Sequence, residues 1–223
     1  MLVVITGSNR GIGLELVRQF LKRGDTVHAL CRRSSTELDQ LSPSRSLAIL
    51  QGIDVSAPDV AHKVLNHLGD SPIDILVQNA GILEREAALA PSVESLRDQL
   101  EVNAIGPIML TLGLRPRLRE GSKVTFVTSR MGSIGDNGSG GYYGYRMSKC
   151  ALNAGAVSLA RDLAPRGIAV GIVHPGYVQT AMTAHHGDIV PAAAAKQIIE
   201  RIDGLSMERS GRFFHANGAE LPW

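Results

Sequence analysis

Tyr145 and Lys149 stand four residues apart in Tyr145-Arg146-Met147-Ser148-Lys149, a spacing that puts two side chains on one face of a helix. A free phenol, with a pKa of about 10, is a poor acid or base at neutral pH. A neighbouring ammonium and a helix N-terminus both favour the phenolate, so the pair predicts an acid–base centre in which the lysine acts electrostatically. Tyr142 and Tyr143 lie close by, but four residues beyond them stand Arg146 and Met147, so Tyr145 alone completes the pattern. A second candidate is Thr6-Gly7-Ser8-Asn9-Arg10-Gly11-Ile12-Gly13. Placed between a strand and a helix, it would offer backbone N–H groups and the positive helix end to a dinucleotide pyrophosphate. Glycine is needed there because a Cβ would hold the phosphates away and keep the helix off the strand. Taken singly, one motif is an ordinary surface pair and the other an ordinary tight turn. Their place in a strand–turn–helix order gives them meaning.

The elements that must carry these groups alternate along the chain. Residues 2–6 are continuously apolar or β-branched and end at Gly7, as a strand buried on both faces does. Ile12, Leu16 and Phe20 then repeat at helical spacing, with Gly24 at the expected C-terminal end. Further strands are predicted at 26–31, 47–50, 73–78, 123–128 and 168–173. Helices are predicted at 60–68, 96–112 (through Gly106-Pro107), 145–164 (stopped by Pro165 and Gly167) and 192–202. The tail GRFFHANGAELPW reads as a short strand and a glycine-containing turn. This alternation predicts one α/β domain over residues 1–223, a doubly wound parallel sheet (Rossmann fold) of about seven strands with helices on both faces and ligands at the carboxyl ends of the strands.

Composition agrees with that class. The chain is 44% hydrophobic and only 4% aromatic with 24 glycines, which suits a core of Val, Ile, Leu and Ala joined by tight turns. Lys and Arg number 23 against 21 acids without long like-charged runs, so no nucleic acid or membrane partner is expected. Cys31 and Cys150 lack a metal or disulfide spacing and read as reduced thiols. The first apolar run is too short for a signal peptide or membrane span, and a cytoplasmic protein is expected. His185 and His186 have no accompanying ligand cluster, so no catalytic metal is predicted.

The glycine spacing TGxxxGxG, the YxxxK pair, Asn79-Ala80-Gly81 after the fourth strand and Pro175-Gly176-Tyr177-Val178-Gln179-Thr180 after the sixth appear in the order found in the short-chain dehydrogenase/reductase family, which the whole chain from Leu2 onward resembles. The resemblance implies that Asp54-Val55 contacts the adenine and that the Pro175, Gly176, Val178 and Thr180 segment flanks the nicotinamide. Where the family's NAD-specific members carry an acid after the second strand, this chain has Cys31, followed by Arg32 and Arg33. Arg32 or Arg33, together with Arg10, would form bidentate bonds to a 2′-phosphate, which predicts NADP(H). By the same resemblance Ser129 holds the substrate oxygen beside Tyr145, and Asn103 helps a water relay protons to Lys149. The loop from Ser129 to Tyr145 is longer than usual, which makes Ser133 the runner-up, and Gln78 replaces a common asparagine. The stretch SRMGSIGDNGSGGYYGYRMSK and the GRFF…LPW ending further resemble the subgroup of small sniffer-like and C-factor-like carbonyl reductases.

The expected reaction is hydride transfer between nicotinamide and a small carbonyl or alcohol substrate, with Tyr145 passing the proton, Ser129 polarising the oxygen and Lys149 also holding the ribose. The competing expectation is an NADP(H)-sensing regulatory protein with incidental turnover. Ala151, Ala154, Gly155 and Ala156 on the catalytic helix would permit close helix packing between subunits, so a homodimer or homotetramer is expected. Residues 181–190 offer only a short cover, which predicts an open substrate pocket.

Overall fold

The computed structural model describes residues 1–85 and 89–223. Its strands are β1 (Leu2–Thr6), β2 (Thr26–Leu30), β3 (Leu47–Leu50), β4 (Ile73–Gln78), β5 (Leu118–Val127), β6 (Ala169–His174) and β7 (Phe213–His215). Its α-helices are α1 (Gly11–Lys22), α2 (Thr36–Asp39), α3 (Val60–Leu68), α4 (Val93–Leu100), α5 (Gly106–Leu114), α6 (Tyr143–Leu163) and α7 (Pro191–Asp203). The strands form one seven-stranded sheet in the order β3-β2-β1-β4-β5-β6-β7, and every neighbouring pair is parallel. The chain runs outward from β1 through β2 to β3, then crosses back to β4, so a crevice opens between β1 and β4 at the carboxyl ends.

Alternate strand residues feed two cores, which is why the strands read as unbroken apolar runs. On one face Val3, Ile5, Ile75 and Val77 pack with Leu16, Val17 and Phe20 of α1 and Ile198 and Ile202 of α7. On the other, Val4, Leu76, Val124 and Phe126 pack with Val64 of α3, Leu110 of α5 and Leu152 and Leu159 of α6. The doubly wound parallel sheet expected from the sequence is therefore the one observed. Among the described residues no helix is long and apolar enough to cross a membrane.

One element differs in kind. The helix expected over 96–112 is α4, a π-helical turn at Glu101–Ile105, and α5. Pro107 has no N–H and its ring would clash with the carbonyl four residues back, so the ladder widens, and the Gly106 N–H bonds Glu101 O. Gly106 also packs so closely on α3's approach that a Cβ would lie 2.6 Å from the Val55 carbonyl oxygen. The widened turn carries Asn103, fully buried, toward the carboxyl end of β4. The short α2 had no sequence expectation. It is capped by Ser35, whose Oγ accepts from Leu38 N at 3.2 Å. β5 begins five residues before the expected 123, and α6 begins at Tyr143, two residues before Tyr145.

Candidate active site

The glycine turn leaves β1 at the crevice and is locked to the end of β4. Thr6 Oγ1 accepts from Asn79 N at 3.0 Å and Ala80 N at 3.1 Å, while Asn79 Nδ2 donates to Thr6 O at 3.1 Å and Gly7 O at 3.2 Å. A Cβ on Gly13 would stand 2.1 Å from Gly7 O, and one on Gly7 would stand 2.8 Å from Ala80 Cα. Gly7 also has φ of 67°, so no side chain is tolerated there for two separate reasons. Gly11 faces Thr180, whose Cγ2 is 3.3 Å from the position of a Cβ, which brings the turn against the Pro175–Thr180 segment. Ser8 is fully buried, its Oγ bonding Ile5 O at 2.6 Å, and Ile12 packs partly against the core.

The same turn is stitched to the chain following β2. Asn9 Nδ2 donates to Arg33 O at 3.0 Å, and Ser35 Oγ donates to Asn9 O at 2.7 Å. Arg10, Arg32 and Arg33 are thereby exposed around one end of the crevice. Asp54 lies beside them. Hydrogen bonds from Ser56, at 2.7 Å from its Oγ and 3.0 Å from its backbone N, hold the Asp54 carboxyl below its usual range, and Arg32 adds to the effect. Val55 is buried among the residues of the α3–α5–α6 face.

At the other end of the crevice the first turns of α6 present Tyr145 and Lys149, both buried. The Tyr145 hydroxyl is hydrogen-bonded to the Ser129 side chain. Ser129 caps the short 3-10 turn Arg130–Gly132 by accepting from Met131 N at 3.1 Å. Ser133 Oγ likewise accepts a backbone N–H, from Asp136 at 3.1 Å, and it is Ser129 whose side chain acts on the Tyr145 phenol. Lys149 Nζ donates to Val127 O at 3.2 Å and lies 5.8 Å from the centre of the Tyr145 ring. Asn103 is fully engaged, its Oδ1 accepting from Ile82 N at 2.8 Å and its Nδ2 donating to Ile82 O at 2.8 Å and Ser148 Oγ at 3.0 Å. Gly81 fits between Asn103 and Lys149, with Asn103 Oδ1 only 3.1 Å from where its Cβ would be.

Burial dominates the electrostatics of this centre. It pushes the Tyr145 phenol up to about 12, opposed by the bond from Ser129, and pulls Lys149 down to about 8. The expectation that the lysine and the helix end would bring the phenol down is corrected, because Tyr145 is shut away from water and its anion is costly. The residues beyond β6 complete the wall. Gly176 has φ of 93°, Val178 is buried and bridges to Ile189, and Thr180 N donates to Thr183 Oγ1 at 3.1 Å. Two residues had no separate sequence expectation, Thr6 as the hub joining β1 to β4 and Ser148 linking Asn103 to α6. The sign of the first was a threonine ending a strand and opening the TGxxxGxG pattern. Among the described residues no three His, Cys, Asp or Glu side chains gather as a metal would require.

The sequence that carries the glycine turn at the switch point and the Tyr145, Lys149 and Ser129 side chains matches a family profile. That profile, described as short chain dehydrogenase, covers residues 1–189. The chain belongs to the short-chain dehydrogenase family. It is 35% identical over 99% of both chains to the 1-hydroxy-2-glutathionyl-2-methyl-3-butene dehydrogenase of Rhodococcus sp. strain AD45. Among solved structures it superposes on the carbonyl reductase Sniffer of D. melanogaster with a TM-score of 0.91, at 31% identity over 99% of this chain and 98% of that one. It also matches the NADPH-bound carbonyl reductase from chicken fatty liver with a TM-score of 0.90, at 26% identity over 99% and 98% of the two chains. This short-chain dehydrogenase thus shares its fold with carbonyl reductases along nearly its whole length.

Proposed function

We propose that the protein is an NADP(H)-dependent carbonyl reductase, acting reversibly on a small carbonyl or alcohol. The observation that carries this reading is the burial of Tyr145, Lys149 and Ser129 together at the carboxyl edge of the sheet, with Lys149 Nζ 5.8 Å from the centre of the Tyr145 ring and bonded to Val127 O. The cradle fits a dinucleotide because its glycines leave space that a Cβ would fill at Gly7, Gly11 and Gly13. Residues 7–13 would hold the pyrophosphate, Asp54 and Val55 the adenine end, Asn79, Ala80 and Gly81 the middle, and Pro175, Gly176, Val178 and Thr180 the nicotinamide end. When bound, the cofactor supplies or accepts the hydride. Ser129 donates a hydrogen bond to the substrate oxygen, and Tyr145 passes its phenolic proton to that oxygen as the alcohol forms. Lys149 binds the ribose hydroxyls and favours the phenolate left behind. Asn103 keeps the chain after Gly81 against α6.

Arg10, Arg32 and Arg33 support NADP(H) over NAD(H), since all three are exposed and Asn9 and Ser35 join the glycine turn that carries Arg10 to the segment after β2 that carries Arg32 and Arg33. Titration with NADPH and NADH, read by nicotinamide fluorescence, should show tighter NADPH binding. Replacing Arg32 and Arg33 by serine should weaken NADPH by roughly 10- to 100-fold and leave NADH nearly unchanged. Equal loss for both nucleotides would remove the 2′-phosphate assignment. Nucleotide binding without turnover on any aldehyde, ketone or diketone would favour sensing.

We also propose a homodimer or homotetramer paired through α5 and α6. Met109 and Leu112 of α5, with Ile105 in the turn before it, lie on one face and are 57%, 40% and 47% exposed. Met147, Ala151 and Ala154 line the exposed side of α6. Gly155 and Ala156 serve internal packing instead, Gly155 sitting so close to Ile108 that a Cβ would come within 2.9 Å. Light scattering should give at least twice the chain mass, and Met109→Asp should return the monomer. A wild-type monomer at micromolar concentration rules the pairing out.

A further inference from the structure

The GRFF…LPW ending takes no part in the chemistry derived above, yet its contacts lead to both walls of the site. After β7 the chain turns back on itself, with Leu221 N bonding Phe213 O at 2.9 Å and His215 N bonding Ala219 O at 2.7 Å. Phe213 is buried, and the Trp223 ring stacks on it with centroids 5.4 Å apart and planes at 22°. The Trp223 backbone oxygen then accepts from Gly135 N at 2.8 Å. Gly135 lies in the loop between Ser129 and Tyr145, and a Cβ there would be only 3.1 Å from that oxygen.

From Gly135 the bonds run along the loop to the residues next to Ser129 and Tyr145. Asp136 N bonds Ser133 Oγ at 3.1 Å, and Asp136 Oδ2 accepts from Arg130 Nε at 2.6 Å, beside Ser129. At the loop's far end Arg146, next to Tyr145, donates to Ser139 Oγ at 2.9 Å. The opposite wall is touched by His215, whose ring meets His174 edge-on at 5.0 Å and whose Cε1 lies 3.6 Å from where a Cβ on Gly176 would be. Ile134, immediately before the anchored Gly135, is 78% exposed, an apolar side chain held out from the loop that carries Ser129.

We infer that the 213–223 hairpin is a positioning element of the active site, with Trp223 as the anchor that fixes the Ser129–Tyr145 loop and thereby decides which carbonyls are accepted. Core packing alone does not account for Trp223, because the residue is 49% exposed and its backbone, not its ring, reaches the loop. The inference rests on the carbonyl reductase reading of the same site. The Trp223 contacts described above fall on Phe213 and Gly135, so replacing Trp223 should leave nucleotide affinity near the wild-type value.

The test compares wild type, Trp223→Ala and Trp223→Phe in three measurements: NADPH affinity, kinetics over small aliphatic and bulky aryl carbonyls, and amide hydrogen exchange across residues 130–141. Trp223→Ala should raise KM for bulky carbonyls about tenfold and change the ratio between substrates, with NADPH affinity and kcat on the smallest substrate within about twofold. Exchange at Gly135 and its neighbours should accelerate, and Trp223→Phe should restore wild-type behaviour. Lowered thermal stability with unchanged KM ratios and unchanged loop exchange overturns the inference. If Trp223→Ala fails to fold, Gly135→Ala, which crowds the Trp223 oxygen while leaving the Phe213 stack intact, should move KM and exchange in the same direction, and no movement is again fatal. A wild type that binds NADPH but reduces no carbonyl overturns the carbonyl reductase reading instead, and the exchange measurement still decides the hairpin's role.

Discussion

Tyr145→Phe should lower kcat for carbonyl reduction by roughly 10²- to 10⁴-fold while leaving NADPH affinity near the wild-type value. The substitution keeps the ring, so the packing of a side chain that is only 8% exposed is preserved. What disappears is the proton donor and the partner of Ser129. Because burial pushes the phenol up to about 12, the wild-type residue stays protonated through the neutral range. Reduction, which consumes that proton, should therefore vary little with pH around neutrality, whereas alcohol oxidation, which needs the phenolate, should rise with pH. Stopped-flow measurement of NADPH oxidation and NADP⁺ reduction on wild type and variant checks both statements. A variant that keeps more than a tenth of the wild-type rate would take Tyr145 out of the proton transfer.

How much of this was legible beforehand depends on which force decides each feature. β3, β4 and α3 have the bounds their apolar patterns predict, because a strand buried on both faces and an amphipathic helix write their own periodicity into the chain. The glycine turn was legible because close backbone approach leaves no alternative residue, as the 2.1 Å between Gly7 O and a Cβ on Gly13 shows. The π-helical turn was not, since Gly106-Pro107 announces a disturbance in the ladder without saying how it is absorbed. Nor was the Trp223 contact with Gly135, which joins residues 88 apart through backbone atoms that carry no residue signature. The sign of the phenol shift was missed for a related reason: spacing reveals the neighbouring charge, but only the packed structure reveals the burial that outweighs it.

That burial supplies the remaining large effect. Lys149 is 4% exposed, its ammonium has Val127 O as a hydrogen-bond acceptor, and burial pulls it from its ordinary value of 10.5 down to about 8. Below about 8 the folded chain carries the full cost of a desolvated charge. Between about 8 and 10.5 the unfolded chain binds the proton and the folded chain does not, so this group makes stability rise with pH across that window. Lys149→Met keeps an unbranched side chain of similar length without the charge. It should abolish most turnover and yet raise the melting temperature at pH 7, by about 2–4 °C for each kcal/mol recovered in a chain of this size. The difference from wild type should shrink as pH approaches 10.5, where the wild-type lysine no longer carries its penalty. NADPH should stabilise wild type more than the variant, because bound ribose hydroxyls would add partners for the ammonium beside Val127 O. A lower melting temperature for Lys149→Met would mean that the bond to Val127 O outweighs desolvation. The expected rise would place Lys149 among residues kept for chemistry at the expense of the fold.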